Sequence, residues 1–179
     1  MKVTTTPLPG LVILEPEIFA DSRGYLLETF HASRFLQAGI ETQFIQENHA
    51  HSLPGVLRGL HYQIQHPQGK LIRVVQGEVF DVAVDLRRSS PTFGRWFGTL
   101  LNDVERRQLY VPPHCAHGYC VLSLAADVVY KCTDVYAPQH ERTIAWNDPD
   151  LKIDWPVTSP ILSEKDRRGL PFAESPCFP

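Results

Sequence analysis

The chain has 179 residues, 43% of them apolar, with 17 Lys+Arg against 20 Asp+Glu for a formal charge of -3. That length carries one well-buried core and no linker composition divides it, so a single domain spanning 1–179 is expected. There is no clustered basic run to hold a nucleic-acid backbone and no apolar stretch near the roughly 18 residues of a membrane span, so neither partner is expected.

Read from the start, Met1-Lys2-Val3-Thr4-Thr5-Thr6-Pro7 lacks an apolar signal region, which predicts a soluble cytoplasmic protein. In that compartment Cys115, Cys120, Cys132 and Cys177 are expected as free thiols. Fifteen prolines and eleven glycines punctuate short runs rich in Val, Ile, Leu, Phe and Tyr, the spacing of an all-β domain. Strands are predicted at 11–15 and 25–30, followed by a helix at 32–38 that Gly39 stops. Further strands are expected at 44–49 and 56–63. A hairpin follows, with strands at 70–75 and 79–86 around the turn Gln76-Gly77-Glu78. In its second strand Phe80, Val82, Val84 and Leu86 alternate with Val79, Asp81, Ala83 and Asp85, so one face is apolar and the other carries two carboxylates. Strands at 95–101, 107–111, 117–122, 127–135 and 142–146 complete the set, with a short helix at 163–168, where Ser163 and Asp166 have capping spacing. From Pro171 onward the tail reads as loosely held. About ten short strands suggest a jelly roll or a similar double-sheet barrel with a few peripheral helices.

The chemistry concentrates in Arg58-Gly59-Leu60-His61-Tyr62-Gln63 and the following Lys70. A guanidinium, an imidazole and an ammonium close together suit an anionic substrate and proton transfer at neutral pH. A jelly roll that holds a metal often does so through a His-x-His pair. Here Gln63 stands two residues after His61, which removes that pair and most support for metal chemistry. The run His114-Cys115-Ala116-His117-Gly118-Tyr119-Cys120 offers nitrogen and sulfur, but an extended strand turns His114 and His117 to opposite sides and separates His114 from Cys120 by roughly 20 Å. His117 alone is then expected to face a pocket. A carboxylate partner would orient His61 as a base, with Asp81, Asp85 and Asp166 as candidates. Tyr130 and Tyr136 share a face by alternation, one suited to donate a proton and the other to stack. Arg23 would complement Arg58 in clamping a diphosphate, and Gln46 and Asn48 offer amides for a sugar or base edge.

Collinear motifs extend this picture: Asp21-Ser22-Arg23-Gly24 with Glu28, Gln46-Glu47-Asn48, Gly55-Val56-Leu57-Arg58-Gly59-Leu60-His61, Gln68-Gly69-Lys70-Leu71, Ala116-His117-Gly118, Tyr130-Lys131, Trp146-Asn147-Asp148 and Leu162-Ser163-Glu164-Lys165-Asp166. With these, the chain closely resembles the dTDP-4-dehydrorhamnose 3,5-epimerase family over essentially residues 1–170. The resemblance implies a metal-free, cofactor-independent cupin-type jelly roll acting on a dTDP-4-keto-6-deoxy sugar. It makes His61 the base paired with Asp166, Tyr130 the acid, and Lys70 the group that steadies the enolate oxygen. Arg23, Glu28, Gln46, Asn48, Arg58, Lys70, His117, Tyr136, Glu141 and Lys165 fall at substrate-binding positions. It also implies a homodimer in which the N-terminal segment, about 1–30, completes the neighbour's site. Tyr119 stands where the family more often has Phe, and Ile64, His66 and Pro67 depart in the loop before Lys70. Alternatives are epimerisation of C3 or C5 alone, a 3,4-ketoisomerase, or a non-catalytic sugar-binding jelly roll.

Overall fold

The computed structural model describes residues 1–40 and 43–179, which form thirteen strands and two short α-helices. The strands are β1 (Lys2–Thr5), β2 (Val12–Glu15), β3 (Ile18–Asp21), β4 (Gly24–Leu27), β5 (Gln46–Ser52), β6 (Leu57–Gln63) and β7 (Lys70–Gln76). They continue with β8 (Glu78–Asp85), β9 (Trp96–Asn102), β10 (Gln108–Val111), β11 (Cys115–Val121), β12 (Ala126–Cys132) and β13 (Glu141–Thr143). Helix α1 covers Ala32–Gln37 and α2 covers Glu164–Arg167. The all-β jelly roll predicted from the sequence is what forms. A six-stranded sheet ordered β1-β2-β10-β7-β12-β5 faces a five-stranded sheet ordered β13-β6-β11-β8-β9, and β3-β4 is a separate ribbon.

Alternation along the strands sorts the apolar side chains into three layers. Between the sheets, Ile13, Ile72, Val74, Leu109 and Val128 pack with Val79, Ala83, Leu101 and Val121. On the outer face of the five-stranded sheet, Val82, Val84, Ala116 and Cys120 are covered by Leu151, Trp155 and Phe178 of the C-terminal segment. On the other side Phe35 of α1 and Ile40 close over Val12, Leu14, Leu71 and Tyr110.

Three expectations need correction. The two runs of the predicted 70–86 hairpin are strands, but β7 belongs to the six-stranded sheet and β8 to the five-stranded one, so they do not pair. The turn instead carries the chain from one sheet to the other at Gly77, whose φ is +82° and where a Cβ would meet the Ala125 carbonyl oxygen at 2.1 Å. Strands β1 and β3 were not predicted. Thr-rich β1 is an edge strand and β3 is exposed along its length, so neither carries a buried alternating pattern. Finally, the tail after Pro171 is packed: Phe178 is buried against Tyr62, its backbone bonds Leu86 and Arg88, and the Tyr62 hydroxyl donates to the Pro176 carbonyl at 2.6 Å. Among the described residues no helix is long and apolar enough to cross a membrane.

Candidate active site

The site begins with two glycines. Gly59 on β6 has φ +132°, and a Cβ there would lie 2.6 Å from Gly118 Cα on β11, so only glycine lets these backbones approach so closely. The β6–β11 register shifts between His117 and Tyr119, leaving His117 opposite His61 and Tyr119 opposite Arg58. From the other sheet β7 contributes Lys70 and β12 contributes Tyr130. These side chains line one cavity of about 300 Å³ together with Gln46, Asn48, Tyr136, Glu141 and Lys165.

His61 Nε2 lies 2.5 Å from Asp166 Oδ1. An ionised carboxylate only accepts, so Nε2 carries the proton and Nδ1 keeps the lone pair. Asp166 is held in the first turn of α2, where Ser163 Oγ donates to its Oδ2 at 2.7 Å and accepts from its backbone N–H at 3.1 Å. Burial pushes His61 below the ordinary imidazole value of 6.5, Asp166 opposes this, and Lys165 and Lys70 add to the lowering. The ring is therefore neutral at physiological pH and available as a base. Burial would raise the Asp166 carboxyl, but the bonds from His61 and Ser163 outweigh it and hold it below 3.8.

Burial pushes the Tyr130 phenol up to about 12, so it is a proton donor across the physiological range. Lys70 Nζ sits 6.0 Å from the centre of that ring. Burial also lowers Lys70 from 10.5, while Cys132, Glu141 and Asp81 pull the other way. At the polar wall Glu141 accepts Lys165 Nζ at 2.9 Å and the Tyr136 hydroxyl at 2.9 Å. Gln46 Oε1 accepts the Tyr136 backbone N–H at 2.7 Å, and its amide donates to Asn48 Oδ1 at 3.1 Å. Arg58 Nε donates to Ser52 Oγ at 2.9 Å.

Of the three carboxylates open as partners of His61, the structure selects Asp166. Asp81 instead receives His117 Nε2 at 2.9 Å, and Asp85 binds Arg87, Ser90 and Thr92. Gln63 gives its amide N–H to the His66 and Val135 carbonyls and accepts the Ala137 N–H, pinning loops beside the cavity. Two predicted residues lie elsewhere in the chain: Arg23, in the β3-β4 ribbon, pairs with Asp21, and Glu28 pairs with Arg34. Residue type alone gives no role to Ser52, which bonds Arg58, and does not pair Asp81 with His117. Both were signalled by alternation, since Ser52 follows Asn48 and Ala50 on one face of β5 and Asp81 lies on the inner face of β8.

An imidazole on β6 and a phenol on β12 thus enter one cavity from facing sheets, with an ammonium beside the phenol. The protein is an isomerase of the racemase and epimerase class built on a jelly roll. The family model for dTDP-4-dehydrorhamnose 3,5-epimerase matches residues 5–174, and the chain belongs to that family. It is 54% identical to dTDP-4-dehydrorhamnose 3,5-epimerase of Pseudomonas aeruginosa over 181 residues, covering 100% of both chains. It superposes with TM-score 0.94 at 47% identity on dTDP-6-deoxy-D-glucose-3,5-epimerase of Legionella pneumophila in complex with dTDP-4-keto-L-rhamnose, covering 97% of this chain and 93% of that one. It is also 40% identical, over 98% of its length and 86% of the relative's, to dTDP-4-dehydrorhamnose 3-epimerase of Streptomyces niveus.

Proposed function

We propose that this protein inverts C3 and C5 of dTDP-4-dehydro-6-deoxy-glucose, giving dTDP-4-dehydro-L-rhamnose. The carrying observation is the placement of His61 and Tyr130 on facing sheets, because inverting a carbon requires proton removal on one face and return on the other. His61 Nδ1 takes the proton from the carbon beside the C4 ketone, and the electron pair moves onto the ketone oxygen. Such a proton is far too weakly acidic for imidazole alone. A preorganised donor at the forming enolate can be worth roughly 3 to 4 kcal/mol, which is the role of Lys70. The enolate then collapses, Tyr130 delivers its proton to the same carbon from the opposite side, and solvent restores both groups. C3 and C5 both flank the ketone, so one His61–Lys70–Tyr130 set serves each in turn.

In the same reading Arg58 holds the diphosphate with Arg23, His117 meets the sugar, and Tyr136, Gln46 and Asn48 receive the base, with Glu141 and Lys165 fixing that wall. Lys70 supplies the positive charge that a metal would otherwise bring, so the reaction is metal-independent and uses no cofactor. Arg23 and Glu28 are delivered by a second copy in a homodimer. Support comes from the β3-β4 ribbon, which leaves Phe19, Tyr25 and Leu26 57%, 57% and 72% exposed, more apolar surface than a free ribbon tolerates. The reaction belongs in the cytoplasm, away from membrane and nucleic acid.

Inversion at a single carbon is the second reading, favoured by the likeness to the Streptomyces niveus 3-epimerase. Proton NMR of the product decides between them: the first reading expects altered ring couplings at both C3 and C5, and an unchanged configuration at either carbon overturns it.

A further inference from the structure

The hydroxyl of Tyr119 is buried and makes no well-formed hydrogen bond, although Ser52 and Arg58 lie close enough to act on it. The residue is 4% exposed and lines the cavity, yet it has no part in the proton transfer described above. The alternation that points His117 inward on β11 also points Tyr119 inward, and the register sets it opposite Arg58. Burial raises its phenol above 10.0 against the opposing pull of Ser52 and Arg58, so the oxygen carries both a proton to donate and lone pairs to accept. The surrounding groups are engaged with each other instead: Arg58 Nε donates to Ser52 Oγ at 2.9 Å and Nη2 to the His51 carbonyl at a long 3.3 Å, while Asp81 takes His117. An unpaired buried hydroxyl costs stability, so one that remains beside a ligand cavity needs an explanation.

From this we infer that Tyr119 is a positioning residue for Arg58. When Arg58 turns from the His51 carbonyl toward an anionic substrate oxygen, the Tyr119 hydroxyl accepts a hydrogen bond from the guanidinium. It donates its own proton to Ser52 Oγ, which is then left free. The orphan group of the empty protein becomes the brace of the occupied one. The inference rests on the reading that Arg58 holds the diphosphate.

The test is a double-mutant cycle with Tyr119→Phe and Arg58→Ala, measuring calorimetric affinity for dTDP, KM and kcat, and the melting temperature of the free protein. Tyr119→Phe is expected to weaken dTDP binding and raise KM by about tenfold while leaving kcat nearly unchanged. In the Arg58→Ala background the same change is expected to alter affinity by less than about twofold. The free Tyr119→Phe protein is expected to melt no lower than wild type, because removing an unpaired hydroxyl breaks no bond. If Arg58→Ala leaves dTDP affinity intact, the assignment of Arg58 to the diphosphate fails. If Arg58→Ala weakens binding but Tyr119→Phe does not, or does so equally in both backgrounds, the brace alone is overturned. A lower melting temperature for Tyr119→Phe with unchanged affinity marks a purely structural hydroxyl and overturns it as well.

Discussion

At the scale of single residues, the proposed chemistry is divided between groups whose protonation states are set by burial. Loss of the base in His61→Ala is expected to cost about 10²- to 10⁴-fold in kcat, measured at saturating substrate. Because burial places the imidazole below 6.5, the acid limb of the kcat/KM profile should fall below that pH. Asp166 opposes that lowering, so Asp166→Asn should move the limb further to the acid side while reducing the rate through loss of the fixed tautomer. On the alkaline side, Lys70 loses its proton below 10.5 and Tyr130 only at about 12, so Lys70 sets the limb and Tyr130→Phe should leave it in place. Residue type and spacing singled out Arg58, His61 and Lys70, and strand alternation Tyr130; the structure brings all four to one cavity. The residues alone left the partner of His61 open among Asp81, Asp85 and Asp166, with only the family resemblance naming Asp166, because it lies 105 residues away and depends on how α2 seats against β6.

At the scale of elements, alternation located strands well and their partners poorly. The runs around Gly77 show why: β8 is buried on both faces and β7 keeps apolar residues on both, so the pattern is the same whether the turn folds back or crosses between sheets. Conversely, β3 and β4 are so exposed that burial gives β3 no signature, although the ribbon carries Arg23 in its turn. The proposed exchange of this ribbon between copies makes a sharp prediction. Arg23→Ala and His61→Ala chains, each nearly inactive alone, should recover about a quarter of wild-type activity when co-refolded, since half the dimers are mixed and one of their two sites is intact. No recovery despite mixed dimers would show that each chain uses its own Arg23.

At the scale of the whole molecule, the same burial that tunes the site makes stability depend on pH. Asp85 is fully buried at the end of β8. Burial would raise it, but Arg87, Ser90 and Thr92 outweigh this and hold it at about 2, down from 3.8. A depressed carboxylate contributes stability above its unfolded value and loses it as pH falls, here between 3.8 and about 2. That contribution is about 2 kcal/mol, so Asp85→Asn should lower denaturant-measured stability at pH 7 by about that amount and flatten the acid limb of stability. His61 acts in the same sense: the unfolded chain binds its proton first as pH falls below 6.5, and the fold weakens.

The central claim is that base and acid reach one sugar carbon from opposite walls. Its most direct test is position-resolved solvent deuterium exchange, comparing wild type with Tyr130→Phe on the dTDP-4-keto-6-deoxy sugar. Wild type is expected to place deuterium at C3 and C5 of inverted product. Tyr130→Phe is expected to exchange with little inversion, because His61 still removes the proton and can return it only from its own side. Inversion at the wild-type rate by Tyr130→Phe, or no exchange at either carbon by the wild-type protein, would contradict that claim.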